Sequence, residues 1–301
     1  VLGSFFFVNK IEFNMESKIK YYYNLLVEKI VKKENFSLFV ADNNLYILKK
    51  ETNISPIFFI KNDFINVIKN KDGQYITNIE NIEYVVLKVE KNQYNIYDRF
   101  VIEHSDTESS ISTSSLWIEK NKYLEQQILN FSMNKDELIQ SFDYYMGLAE
   151  NAIAIMKKIE NKSEAKKEYV CHRRIYYPNN TINYYDPTNY VIDYKSRDIA
   201  EYIKSWFFKE ENVKISEIES FIKKYKLNNL DLLILYARLI YPTYYFDVFE
   251  DLILSKDNAE AKQKLLNIIN KTKKYQQTIA DIFEIYVQDS TLPYIKWIND
   301  L

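Results

Sequence analysis

The alternation of apolar and polar positions changes character along the chain. Over residues 16–34, Ile19, Tyr22, Leu25, Leu26 and Ile30 recur at three-to-four spacing with lysines between them, which predicts an amphipathic helix. Two β-prone runs then flank Asp42-Asn43-Asn44 within Ser37–Leu48. Those residue types tolerate the positive φ of a tight turn, so a hairpin is predicted. A short helical piece is read near 61–69. A second hairpin follows, from Asp72–Thr77 to Ile82–Glu90 around the polar stretch Asn78–Asn81. Residues 95–103 add a further strand. Ser105–Ser115 is rich in Ser and Thr and has almost nothing to bury, so the boundary between lobes is placed in or just after it.

Beyond that boundary the helical period takes over, at 116–131 and again at 134–160. In the second, Leu138, Phe142, Met146, Leu148, Ala152 and Ile155 make a wide apolar stripe. One β-rich island interrupts at Glu168–Asp193, with strand-like Tyr169–His172 and Tyr190–Ile192 on either side of a loop holding Pro178, Asn179, Asn180 and Pro187. Helices resume to the end. Ser196 and Ser216 are read as N-caps, Ser216–Glu219 as a capping box, and Leu230–Phe246 as one buried core helix. The expected organisation is an N-terminal extension without fixed structure at 1–14, a β-rich lobe at 15–115 and a helical lobe at 116–301. The fold class is α+β.

Composition removes several chemistries. Of 301 residues only Gly3, Gly73 and Gly147 are glycine, far apart, which excludes a Walker-type loop and a G-x-G-x-x-G turn. Two histidines (His104, His172) and one cysteine (Cys171) are too few for a zinc cluster, so a metal would sit on carboxylates. The lone cysteine forbids an intrachain disulfide, in keeping with a reducing compartment. With 40 basic and 42 acidic side chains, no nucleic-acid partner is implied. The apolar opening, Val1–Val8, is too short for a signal or a span, and Leu230–Phe246 carries Asp231, Arg238 and Pro242, so no membrane span is expected.

The island carries the candidate chemistry. Cys171-His172-Arg173-Arg174 runs on to Asn179, and Tyr190-Val-Ile-Asp193 precedes Arg197-Asp198. This order resembles kinase-like phosphotransferases of the aminoglycoside and choline kinase type, where His-x-Asp is followed five residues later by Asn and a further strand carries a metal-binding Asp. The spacing from His172 to Asn179 agrees, but position 174 is arginine. More closely, Phe142–Ala152, Asp186–Asp193, Arg197–Tyr202 and Arg238–Asp247 resemble the spore-coat-associated kinase-like family of the YutH and CotS type. The resemblance covers most of residues 16–301.

That resemblance implies a bilobal protein-kinase-like fold, a setting in the cytoplasm or the coat of a developing spore, and coat or assembly proteins as partners. It implies roles for particular residues too. Arg174 stands where a catalytic Asp would accept the proton of the attacking hydroxyl, beside His172. Asn179 and Asp193 would hold magnesium, with Asp186 as the alternative register. Lys88 resembles the strand lysine on the nucleotide phosphates and Glu125 its helix partner. ATP and magnesium are the cofactors if catalysis survives. A guanidinium does not deprotonate in a protein, and losing a general base costs about 10² to 10⁴ in rate, so a catalytically impaired, pseudokinase-like scaffold is the leading expectation. An ATP- and magnesium-dependent phosphotransferase acting on a small hydroxylated molecule or a coat protein is the alternative. Structural roles compete at each position. His172 can be a hydrogen-bonded core residue, Arg173 and Arg174 can pair with Asp193, Asp198 or Glu201, and Lys88 and Glu125 can be ordinary surface residues.

Overall fold

The structure is a computed structural model, and it describes residues 15–33, 36–51, 62–90, 102–103, 112–129, 136–161, 169–177, 181–254 and 259–286. The expected extension at 1–14, Asn179, and most of the strand expected at 95–103 lie outside them. The described residues divide into two compact units. One takes those up to residue 90 together with 181–191, and the other takes 102–177 and 192–286.

The first unit opens with helix α1 (15–23), which stops where Asn24 turns left-handed at φ 56 and its N–H bonds back to the Lys20 carbonyl. The helix expected over 16–34 is thus half as long, and Val27–Lys32 forms strand β1. Its β-branched Val27, Ile30 and Val31 favour a pleated strand, while the apolar spacing fitted either structure. β2 (Phe36–Ala41) and β3 (Asn44–Lys50) form the expected hairpin, with Asp42 and Asn43 both at positive φ (49 and 59) in a two-residue turn.

The piece near 61–69 is a strand, β4 (Ile65–Ile68), and not a helix. Asn62 folds back to accept the Phe64 and Ile65 N–H groups at 2.9 and 2.7 Å, a local bond that competes with helix initiation. The second hairpin joins β5 (Thr77–Ile79) to β6 (Ile82–Val89) through Glu80 and Asn81, at φ 52 and 63. Sheet order is β1-β2-β3-β6-β4, all neighbours antiparallel, with β5 also on β6. Ile19 of α1 is buried on this sheet with Phe39, Leu48, Ile79 and Val86.

The second unit is mainly helical. α2 (Thr113–Leu129) and α3 (Asp136–Glu160) pack as an antiparallel pair, since Ser112 and Ser114 at the start of one bond to Glu160 at the end of the other. β8 (Tyr169–His172) lies between β7 (Ile102–Glu103) and β9 (Tyr190–Asp193). After the short α4 (Thr181–Tyr185), which belongs to the first unit, α5 (Ser196–Lys209), α6 (Ile215–Lys223), α7 (Asn229–Ile240), α8 (Thr243–Leu254) and α9 (Ala259–Tyr286) follow.

Leu230–Phe246 is therefore two helices and not one. Tyr241 is extended (ψ 118) before Pro242, whose ring disfavours the helical conformation in the residue preceding it. Ser196 begins α5 but its hydroxyl bonds to the Asp231 carbonyl, and α6 starts after Lys214, whose N–H is taken by Glu217. The serine caps expected there are displaced by one and two residues. Asn228 does cap α7, accepting the Asp231 N–H at 2.8 Å. Two apolar clusters, one around α3, α7 and α8 and the other around α5, α6, α7 and α9, fill the interior. No helix among the described residues is long and apolar enough to cross a membrane.

Candidate functional site

The end of β8 delivers His172 into the interior of the second unit, with its side chain fully buried. Asp198, in the first turn of α5, answers it twice. One carboxylate oxygen accepts the His172 backbone N–H at 2.8 Å, and the other lies 2.7 Å from Nδ1. Arg197 next to it donates from Nε to the His172 carbonyl at 2.7 Å, so strand end and helix start are sewn together by three polar contacts.

Two residues beyond His172, Arg174 points its guanidinium fork at Asp247 of α8. Nε and one terminal nitrogen donate to the two oxygens at 2.5 and 2.6 Å, the other terminal nitrogen donates to the Arg173 carbonyl at 2.7 Å, and Glu201 approaches to 3.9 Å. Burial alone would loosen its proton, but the Asp247 carboxylate outweighs that and holds Arg174 more firmly protonated than an ordinary arginine. It cannot serve as a proton acceptor. Asp247, by its charge and geometry, is committed to the same pair.

Asp193, at the end of β9, receives Arg197 at 2.8 Å on one oxygen, and Arg238 of α7 together with the Tyr194 N–H (2.7 Å) on the other. Burial works to raise its pKa, yet the two guanidinium groups win and keep it below the usual carboxylate range. Such a carboxylate does not fit magnesium. The ion needs oxygen lone pairs in near-octahedral array, and binding here would mean abandoning two buried ion pairs. Arg238 also lies over the Trp117 ring, 5.6 Å from its centroid.

Close by, Lys204 donates to Glu201 at 2.7 Å, to the Thr243 hydroxyl at 2.5 Å and to the Arg238 carbonyl at 3.2 Å. Burial pushes the lysine down to about 8 against the pull of Glu201. Burial also works to raise Glu201, but Lys204, Arg174 and Arg197 together bring it down to about 2. The Cys171 thiol, buried behind these charges, points at the Tyr194 carbonyl at 3.4 Å, and burial raises its pKa well above the normal thiol value.

A smaller cluster belongs to the first unit. Lys49, on β3, donates to Asp186 at 2.9 Å and to the Thr188 hydroxyl at 2.7 Å, while the other Asp186 oxygen caps the single 3₁₀ turn Pro187–Asn189 through the Thr188 N–H. Asn62 donates to the Tyr185 carbonyl at 3.0 Å, and Phe64 stacks on the Tyr185 ring at 3.9 Å. Lys49 is not among the lysines that the sequence singles out. The adjacent pair Lys49-Lys50 at a strand end looks like solvated surface, and only the alternation that leaves Lys49 half-buried and Lys50 exposed separates them.

The remaining expected residues fall as follows. Lys88 pairs with Glu90, two residues along its own strand, at 3.0 Å. Glu125 lies exposed on α2, where it lines a groove against α3. His172, Arg174 and Asp193 are brought into one network by Arg197 and Arg173. Asp186 sits in the Lys49 cluster instead. Arg238 and Asp247, which complete the network, carry no local sequence signal, since their partners are 45 and 73 positions away in the chain, whereas Lys204 has Glu201 three positions before it on the same helix.

A family model described as "Spore coat putative kinase YutH" matches residues 16–282. The endospore coat-associated protein YutH of Bacillus subtilis (strain 168) is 28% identical over 179 residues, covering 54% of this chain and 52% of that protein. The chain thus spans about half the length of the curated relative it matches. Among solved structures, an aminoglycoside phosphotransferase from Alicyclobacillus acidocaldarius is similar with a TM-score of 0.58 at 12% identity, covering 87% of this chain and 93% of that one. The spectinomycin phosphotransferase APH(9)-Ia, in complex with ADP and spectinomycin, is similar with a TM-score of 0.50 at 14% identity, covering 90% and 97%. At such identities the likeness establishes the kinase-like α+β fold.

Proposed function

Because the chain belongs to the YutH family of spore-coat kinase-like proteins, we propose that it keeps a phosphotransferase fold as a protein-binding scaffold and transfers phosphate poorly or not at all. The observation that carries this reading is the Arg174 fork on Asp247. Phosphoryl transfer needs a carboxylate to position and deprotonate the attacking hydroxyl, and oxygen ligands for a phosphate-bridging metal. Arg174, expected where the base would stand, is a cation paired through two of its nitrogens with Asp247. Asp193, one of the two acids expected as the metal ligand, is held by Arg197 and Arg238.

Each pair is self-neutralising, so the residue types that would make a reaction centre are spent on holding β8, β9, α5, α7 and α8 together. A fold maintained in that way still offers a rigid surface, and the coat-associated relative suggests where it is used. Coat or assembly proteins of the developing spore are the proposed partners.

One observation favours the alternative, an active ATP- and magnesium-dependent phosphotransferase. Lys49 is a strand lysine held by a single carboxylate and a hydroxyl, and its side chain is 25% exposed. A nucleotide phosphate could take the place of Asp186 as its partner.

Incubation with Mg-ATP, a panel of hydroxylated small molecules and coat extract, with phosphate transfer followed by radiolabel, separates the two. The scaffold reading expects no transfer above that of denatured protein. Turnover that disappears in Asp186→Asn or Asp193→Asn would overturn it. Thermal melts add a binding readout, because a nucleotide present at 100 times its dissociation constant stabilises by about 2.7 kcal/mol.

A further inference from the structure

Where α3, α8 and α9 meet, the second unit holds another polar cluster, made of hydroxyl and amide groups. Tyr145 lies stacked on Tyr245 with ring centroids 3.6 Å apart, and its hydroxyl meets that of Thr272. Ser141 and Tyr245 share a hydrogen bond at 2.9 Å. Tyr275 donates to the Leu239 carbonyl at 2.9 Å, and Tyr144 donates to the Gln276 side chain at 2.6 Å.

Two atoms of this cluster are left over. The Tyr244 hydroxyl and the Gln276 amide nitrogen are buried and have no hydrogen-bond partner among the described residues. Gln276 as a whole is 5% exposed. A donor orphaned in an interior costs its full desolvation, so folded chains seldom keep one without a compensating bond.

The helices bring the two atoms into the same surroundings. Thr272 and Gln276 are one turn apart on α9 and meet the adjacent α3 residues Tyr145 and Tyr144. The Tyr244 ring stands edge-on to Tyr275 at 5.4 Å and to Tyr145 at 6.3 Å, and Phe208 stacks on it at 4.1 Å. Burial, and then the phenols of Tyr275, Tyr145 and Tyr144, raise the Tyr244 pKa well above the ordinary value, so this hydroxyl stays a donor.

Hydrogen counting defines the ligand. Thr272 gives its hydrogen to the Ile268 carbonyl at 2.7 Å, so Tyr145 gives its own to Thr272. The oxygens of Tyr145 and Tyr275 can each accept one more bond, whereas Tyr244 and the Gln276 amide have hydrogens to give. Reversing the amide would turn its orphan from donor to acceptor. A molecule that satisfies the site under either assignment both accepts and donates. It is neutral, since the groups around it are neutral, and small, since the side chains of three helices enclose it. Water has those properties.

We infer that α3, α8 and α9 bind one internal water, which accepts from Tyr244 and Gln276 and donates to the hydroxyl oxygens of Tyr145 and Tyr275. A buried water with about two to four polar partners is as much a part of a fold as a side chain. Tyr244 lies three residues before Asp247 on α8, so this water fastens the helix that carries the partner of Arg174. The inference stands whether or not the protein transfers phosphate.

The test is a cycle of Tyr244→Phe, Gln276→Met and the double variant, each close to the original volume, in urea unfolding of the full chain. Deleting a truly orphaned hydroxyl is neutral or stabilising. Deleting one that holds a water is not, so the Tyr244→Phe midpoint is expected to fall. The double variant is expected to lose less than the sum of the single losses, because the first change already releases the shared molecule. Oxygen-17 magnetic relaxation dispersion of the solvent counts long-lived internal waters directly, and the wild type is expected to hold one more than Tyr244→Phe. The inference is overturned if the Tyr244→Phe midpoint is unchanged or rises, if the two losses add, or if the dispersion amplitudes are equal. Should the double variant not fold, Tyr244→Phe against the wild type decides by both readouts.

Discussion

The Lys49 cluster and the Asp193 network both join cations to carboxylates, yet they are built to different standards. Lys49 has one carboxylate and one hydroxyl, and its side chain remains a quarter exposed. An ammonium of that kind is a point charge with rotatable donors, and it exchanges partners at small cost. Asp193 is held at 8% exposure by two guanidinium groups, one of them itself only 4% exposed. There the geometry is fixed by planar forks, and any exchange leaves a charge stranded away from water. Pairs of opposite charge thus give a replaceable contact in one unit, where the cation is an ammonium, and a permanent fastening in the other, where it is a guanidinium.

The sharpest way to break that contrast is to remove a fastening. Arg238→Ala leaves Asp193 buried with one cation fewer, and a loss of about 3–5 kcal/mol is expected in urea unfolding of the second unit. A loss below about 1 kcal/mol would mean that the network is no firmer than a surface pair. Asp198→Asn removes the charge that receives the His172 backbone and faces its ring, and about 2–3 kcal/mol is expected by the same measurement, since hydrogen bonds to charged groups are worth about 1.5–3 kcal/mol.

Lys204 supplies a pH signature. In the folded chain it gives up its proton at about 8 instead of 10.5, so between those values the unfolded state binds more protons and stability rises with pH. The slope contributed is at most about 1.4 kcal/mol per pH unit. Urea midpoints between pH 8 and 9 are expected to show the rise, and Lys204→Met is expected to flatten it; above 9 the raised Cys171 thiol works in the opposite direction. Glu201 governs the acid limb: its carboxyl is lowered from 4.5 to about 2, so its contribution is complete above 4.5 and fades as pH falls toward 2. The smallest effect belongs to the replaceable contact. Lys49→Ala is expected to change stability by less than about 1 kcal/mol, and a larger loss would show that the Asp186 pair is structural after all.

How much of this could be read beforehand depended on whether the signal was local. The hairpin at Asp42-Asn43 and the one ending at Ile82 announce themselves because each needs residues that accept positive φ, and those residues are adjacent in the chain. The kinase-like family and fold were legible in the segments around His172, Asp193 and Asp198. β1 was not, because Tyr22, Leu25, Leu26 and Ile30 satisfy a helical period while only the left-handed Asn24 stops the helix. Pro242 was visible, but the apolar density around it suggested continuity across a break. At the candidate site, arginine at position 174 was plain from the sequence, whereas its partner was not. Asp247, on α8 and 73 positions from Arg174, becomes its partner through tertiary packing that no spacing rule reports.

Cys171 offers a use for the network that needs no mutation. It is the chain's single sulfhydryl, and it lies buried behind the paired charges with its hydrogen directed at the Tyr194 carbonyl. An alkylating reagent can reach it only when those charges part company, so the rate of its modification becomes an intrinsic clock for the opening of the helical unit.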